Sequence, residues 1–291
     1  LLTHQALTRL EFFAVSEVFM TPTAHLADIV LPAASQFEFD DIGHYGLGHG
    51  IVLARKKIVD PPENCWPDIR ILNSLGKRLS QPEYWFDDET AMLDSVLSPA
   101  GLNFEKFCQR GFLKGPEVFR KYERSGFKTK SGKVELSLKS AEKWGISTLP
   151  EFVPKAFDPD YPLLLTSAKS PFYLHSSYRW MKGLREEEPT PVCRIHPNAA
   201  RAADIHDGDA VQVETKQGHM VQTARLTDQI RPDTVLAAYG WWFPEENLKD
   251  DESWCRSNYN MLTETKRLGK AFGTPDLKGI PCRIKLKRRA S

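Results

Sequence analysis

Closely spaced cysteines are missing from this sequence. Cys65, Cys108, Cys193, Cys255 and Cys282 never come nearer than 27 positions to one another, which excludes a CxxC pair and the usual local zinc and iron–sulfur spacings. Five is also an odd number, so no complete disulfide framework exists, and a reducing compartment is the simpler inference. Charge of one sign is not in excess either. With 39 basic against 38 acidic residues, the chain lacks the cationic surface that nucleic acid or an anionic membrane usually requires. No run approaches about 18 apolar residues, and no basic stretch precedes an apolar core at the start, so neither a spanning helix nor a signal peptide is visible. Repeats and low-complexity tracts are absent. The chain opens on Leu1 rather than methionine, and its first twenty residues read as an amphipathic helix entering an apolar strand, the look of a piece cut from something longer.

What is present reads as a globular chain: 291 residues, 41% hydrophobic and 26% charged, with room for about two domains. Phe12–Val15 and Ile29–Ala34 are unbroken apolar runs separated by a polar turn, the pattern of strands buried on both faces in an α/β layer. The spacing predicts a helix over 67–80 with Ile69, Leu72, Leu75 and Leu79 on one face, a second over 87–97 and a third from Asn103. The stretch 145–162 carries four prolines and little periodicity, which marks a domain boundary. Beyond it short strands dominate, at 163–166, 210–215, 219–227 and 234–241, the middle two forming a hairpin. A short helix within 196–209, capped by Asn198 and ended by an Asp-Gly turn, interrupts them. Together they predict a β-barrel of about 130 residues. The tail with Lys285, Lys287, Arg288 and Arg289 reads as a solvated, frayed terminus.

Chemistry is harder to find. The glycine-rich stretch 43–50 has the density of a phosphate cradle, but a strand-like run follows where a phosphate-binding helix would have to begin. His44 and His49 are five apart and share no helix or strand face. No Ser/His/Asp order and no carboxylate pair stands out, so neither catalytic residues nor metal ligands are evident. One loop is different. After Leu163–Leu165 the chain releases Thr166, Ser167, Lys169, Ser170, Tyr173, His175, Ser176, Ser177, Tyr178 and Arg179, which offer hydroxyl donors, cations and aromatic faces suited to phosphate oxygens and a heterocycle. An ordinary polar barrel loop explains the same residues equally well. Trp241, Trp242 and Phe243 are either a ligand wall or core.

Five segments, in order, carry a resemblance: the stretch from FFAVSEVFMTPTAHLAD to FEFDD, FKTKSGKVELS, PLLLTSAKSPFYLHSSYR, IHPNAARAADIHDGDAVQVETKQGHM, and SNYNMLT with GTPDLKGIPCRIK. They resemble the C-terminal part of the molybdopterin oxidoreductase family, the group related to dimethyl sulfoxide reductase and formate dehydrogenase. The pairing of FMTPTA with GWWFPE is similar to the acetylene hydratase branch, which leaves hydration open beside redox chemistry. The resemblance implies that residues 1–155 end the α/β region embracing the pterin, and that residues 156–291 form a double-psi β-barrel, the molybdopterin dinucleotide-binding domain. It implies a bis-molybdopterin guanine dinucleotide carrying molybdenum or tungsten, with the metal ligand and a 4Fe-4S cluster in an N-terminal part not matched here. Thr166, Ser167, Ala168, Lys169, His175, Ser176 and Ser177 are the implied cofactor contacts, with Arg179 reaching the cofactor or a substrate funnel. Asn258 and Lys278 match polar positions near the pterin, and Asn198 is either a contact or a helix cap. Thr23 and Asp28 match a family motif that turn burial and strand capping also explain. One departure is plain: many relatives have Thr-Gly-Arg where this chain has Thr166, Ser167, Ala168 and Lys169, and lysine lacks the bidentate fork. Implied partners are the remainder of a catalytic subunit and an iron–sulfur electron-transfer subunit. By itself the chain is not expected to turn over, and the rival reading is a non-catalytic cofactor carrier or assembly module. The compartment stays open between cytoplasm and periplasm.

Overall fold

A computed structural model describes residues 2–44, 50–79, 81–149, 151–152, 154, 158–246, 254–265, 268–269 and 273–287. They fall into two compact units, one of Glu11–Val134 and one of Leu1–Leu10 with Glu135–Ser291.

In the unit Glu11–Val134, strands β1 (Ala14–Glu17) and β2 (Ile29–Pro32) pair in parallel, joined through a 3₁₀ turn at Ala24–Leu26. Asp28 fixes that connection, its Oδ2 accepting from the Phe13 backbone N–H at 2.7 Å. Thr23 makes no side-chain cap at the turn; Thr21 accepts from Ala24 N–H instead. Strands β3 (Asp41–His44), β4 (Ile51–Arg55) and β5 (Phe112–Lys114) form an antiparallel sheet. It packs with the helices Glu89–Leu97 and Phe104–Arg110 around Leu93, Leu97, Phe104 and Phe107. Asp88 and Asn103 cap those helices, each accepting a hydrogen bond from the third residue on, as their side chains favour.

Two expectations for this unit are corrected. The strands β1 and β2 are not buried on both faces: none of their residues is buried, and Ile29 is 47% exposed. The helix Asp68–Leu79 forms where the spacing predicts it, yet Leu72, Leu75 and Leu79 face outward, and its buried residues are Asn73 and Gly76. The reason lies in Gly76. A Cβ there would meet the Trp85 ring at 2.0 Å, so the helix offers the indole its glycine rather than its leucines.

The second unit is organised by a closed barrel of β6 (Leu163–Ala168), β7 (Val192–Ile195), β8 (Ala210–Glu214), β9 (His219–Leu226), β10 (Thr234–Ala238) and β11 (Ile280–Leu286). The order round the barrel is β10-β6-β11-β8-β9-β7, with β6/β10 and β7/β9 parallel and the other neighbours antiparallel. Alternation along the strands sends Leu165, Ile195, Val211, Val213, Met220, Val235, Ala237 and Cys282 inward, where none exceeds 1% exposure. This is the barrel the short strands predicted. The C-terminal tail differs from expectation as far as it is described: β11 runs through Lys285, which pairs with Gln212 across the strand and lies 2.8 Å from Glu214. Arg288 and Arg289 lie outside the described residues. A helix at Leu2–Leu7 belongs to this unit, His4 stacking on Trp254 at 5.0 Å. No helix among the described residues is long and apolar enough to cross a membrane.

Candidate cofactor site

Parallel pairing decides where the polar loop begins. Because β6 and β10 run side by side, Ser167 against Ala237 and Ala168 against Ala238, both strands end at the same rim of the barrel. Gln222 pins that rim, its side-chain amide donating to Ala238 C=O at 2.8 Å and its carbonyl accepting from Ala238 N–H at 3.1 Å. The loops that follow, 169–181 and 239–246, then interlock. Trp242 Nε1 donates to Ser176 C=O at 2.8 Å, and the Tyr239 hydroxyl lies 3.1 Å from His175 Nδ1. Gly240, at φ +67°, lies so close beneath the loop that a Cβ would meet His175 backbone atoms at 2.7 Å. No other residue fits there.

A third segment joins the same rim. Tyr259 is buried, donates its hydroxyl proton to Leu277 C=O at 2.8 Å, and is hydrogen-bonded to Ser167; burial raises its phenol and the serine opposes the shift. That one ring brings Ser167 of β6 together with the neighbours of Asn258 and Lys278. Asn258 Oδ1 is occupied, accepting from Asn260 N–H at the start of a 3₁₀ turn. Lys278 is exposed.

The structure therefore gathers Thr166, Ser167, Ala168, Lys169, His175, Ser176, Ser177, Asn258 and Lys278 onto elements that meet at one rim. Asn198 is not among them. Strand β7 runs antiparallel to β10, with Ile195 opposite Val235, so the helix Pro197–Ala202 starts at the opposite end of the barrel from Ala168. Nor is Asn198 the helix cap, as its reading alternatively had it. His196 is, its Nδ1 accepting from the Asn198 backbone N–H at 3.1 Å. Proline at the next position leaves no N–H there to cap, so the acceptor one residue earlier takes the following one.

Arg179 faces inward. It is 1% exposed, its guanidinium lying 3.8 Å from the centre of the Tyr173 ring and 4.1 Å from that of Trp241. Its N–H groups donate to the carbonyls of His175, Tyr239 and Gly240 at 3.1–3.4 Å. Burial lowers its pKa to about 10, so it stays a cation at neutral pH. Trp241 and Trp242, at 1% and 4% exposure, are core rather than an open ligand wall. Tyr173 and Ser170 also work inward, the tyrosine donating to the carbonyls of Leu184 and Glu188 and the serine to the Glu188 carboxylate. Residues that sequence reasoning missed here are Tyr239, Gly240, Gln222 and Tyr259. A Tyr-Gly-Trp-Trp run at a strand end was the available signal for the first two.

What remains free is informative. The side chains of Thr166, Lys169, Ser176, Ser177 and Lys278 make no hydrogen bond or ion pair among the described residues, while Thr166 is paired within β6 and the Ser176 carbonyl and Ser177 N–H are bonded in the loop. Hydroxyls and two lysines without intrachain partners are a donor set that fits an anionic dinucleotide. The described residues hold no group of three or more His, Cys, Asp or Glu side chains able to bind a metal ion. Of the histidines His44 and His49, the second lies outside the described residues.

A closed mixed barrel with these groups at one rim fits a domain that binds an anionic ligand. Comparison with known proteins gives the particular kind. The family model described as Molydopterin dinucleotide binding domain matches residues 163–281, and that described as Molybdopterin oxidoreductase matches residues 2–78. The chain belongs to the molybdopterin oxidoreductase family. It is 29% identical to the trimethylamine-N-oxide reductase of Haemophilus influenzae, over 88% of this chain and 36% of that one. To the acetylene hydratase of Syntrophotalea acetylenica it is 29% identical, over 78% of this chain and 33% of the relative. The solved structure of acetylene hydratase from Pelobacter acetylenicus superimposes with a TM-score of 0.88 at 24% identity, covering 98% of this chain and 41% of that one, which shows a shared fold. The chain spans about a third of the length of the curated relatives it matches.

Proposed function

We propose that this chain is the C-terminal, cofactor-holding portion of a molybdenum or tungsten enzyme, with residues 1–155 ending its α/β region and residues 156–291 closing a barrel over a bis(pterin guanine dinucleotide). The observation that carries this reading is the donor set at the β6/β10 rim that has no partner among the described residues, inside the segment that the dinucleotide-binding family model matches. Lys169, Ser176, Ser177 and Lys278 hold phosphate oxygens by charge-assisted hydrogen bonds, and Thr166 supplies a hydroxyl beside them, the Ser167 hydroxyl being engaged with Tyr259. The Tyr239 hydroxyl on Nδ1 fixes the His175 ring and leaves Nε2 for the pterin. When bound, the group supplies the redox-active metal centre; the chain's own part is to bind it and to orient it. The metal ligand and the 4Fe-4S cluster belong, in this reading, to the further length that the relatives have, and an iron–sulfur subunit is the electron partner.

The test is metal and nucleotide content. Molybdenum, tungsten and acid-released guanosine nucleotide are measured after native purification of the protein and of Lys169→Ala and His175→Ala. The expected result is metal with guanosine nucleotide in the parent and lowered content of both in each variant. Full content in both variants removes the site assignment. If the 291-residue chain alone retains the cofactor and no catalytic partner copurifies, the carrier reading replaces the enzyme reading.

A further inference from the structure

Arg179 is a buried cation with no ion pair to a carboxylate among the described residues, Glu188 acting on it only through its field, and it touches both loops of the rim. Three features of its surroundings belong together. First, the backbone it holds is conformationally costly: His175 at φ +53° and Tyr178 at φ +69° both occupy the left-handed region that side chains with a Cβ avoid. Second, it ties the two loops through their backbone carbonyls, His175 on one side, Tyr239 and Gly240 on the other, besides a side-chain bond to Tyr173. Third, the stack continues past it. Trp241, on which it lies, also receives Arg185 at 5.6 Å and leans on Phe243, while Arg185 is tied to Glu245 and Arg256 over Phe243 is tied to Glu246. Such a column of rings and guanidinium groups is rigid because each planar cation is fixed by a face and a fork together.

We propose that Arg179 is a positioning residue, which clasps the 174–178 turn to the 239–242 segment and so keeps the His175 imidazole and the Ser176 hydroxyl in place for the cofactor. This rests on the cofactor reading above and adds a residue whose hydrogen bonds are spent within the chain. Two buried donors, Arg179 Nη1 and Trp241 Nε1, find no acceptor in the clasp. A buried donor left unpaired is destabilising, so the clasp is maintained at a cost to the fold, as a strained functional loop is. The cation also lies directly behind the rim, where its charge favours an anionic ligand.

The experiment compares Arg179→Met, Arg179→Lys, Gly240→Ala and Lys169→Ala in the protein as purified. Hydrogen exchange is followed by mass spectrometry in peptides covering 174–178 and, as a control, in β6 and β10; guanosine nucleotide retention is measured alongside. In Arg179→Met, exchange over 174–178 is expected to rise roughly tenfold or more while β6 and β10 keep their protection, and nucleotide retention to fall. Arg179→Lys, which keeps the charge and the ring sandwich without the fork, recovers part of both. Gly240→Ala separates the loops without touching the arginine and reproduces the loss; it carries the test with Arg179→Lys if Arg179→Met does not fold. Unchanged loop exchange in Arg179→Met, or faster exchange with full retention, overturns the proposal. Full retention in Lys169→Ala as well sinks the cofactor reading itself, so the two failures are told apart.

Discussion

In the barrel Leu165, Val211, Val213 and Val235 are 0% exposed, whereas Leu72, Leu75 and Leu79 of the helix Asp68–Leu79, just as regular in sequence, are 55%, 49% and 73% exposed. Both sets obey their periodicity. What separates them is that a closed barrel supplies its own cover, each strand's inner face meeting the others', while a helix face depends on whatever packs against it. Periodicity therefore reports which side chains share a face and is silent about what lies opposite.

That contrast can be broken by truncation. Leu165→Ala, in the barrel centre, is expected to cost about 3 kcal/mol of stability, whereas Leu75→Ala should stay within about 0.5 kcal/mol, both read from urea unfolding. Equal losses would mean that the helix face is covered and that the comparison fails. Thiol labelling sharpens the same point. Cys193 and Cys282 are both 0% exposed, and burial pushes their thiols up, that of Cys282 to about 12. Neither should react with an alkylating reagent at neutral pH until the barrel opens, and fast native labelling of either would deny the closed core.

The smallest effect belongs to the outside of the barrel. Glu214, on β8, accepts from Arg283 and lies beside Lys285, both on β11, and these partners lower its pKa from 4.5 to about 2. A depressed carboxyl stabilises the fold above its ordinary value and loses that contribution as the pH falls towards about 2. Glu214→Gln should cost at most about 1 kcal/mol at pH 6, because the group is near the surface, and nothing near pH 2. A cost that persisted at low pH would show that shape rather than charge joins β8 to β11.

Much of the barrel was legible because its strands carry their signal locally: Val211 and Val213 alternate within AVQVE, and Thr215–Gly218 turns the chain back. Strand β7 was overlooked, since VCRI is too short to declare itself, and β11 was hidden by its charges, Arg283 and Lys285 pointing out while Cys282 and Ile284 point in. Of the site, the loop after β6 was visible from its composition and its family likeness. Its second half was not, because nothing in YGWW says that a glycine must lie under His175. Asn198 misled for a related reason. A Pro-Asn pair reads as a cap in one dimension, whereas His196 takes that role, and direction of travel along β7, which only pairing reveals, takes Asn198 to the other end of the barrel.

Strand β6 carries one more consequence. It is seated between β10 and β11, its partners being Thr234–Ala238 and Ile280–Leu286. During synthesis, Leu163–Leu165 therefore emerge long before either neighbour exists, an apolar strand with both edges open. The rim it builds can be completed only when the last strand arrives. Until then this stretch is the one a folding chaperone has most reason to shield, and loss of the chain after about residue 279 would leave it permanently unpaired on the β11 side.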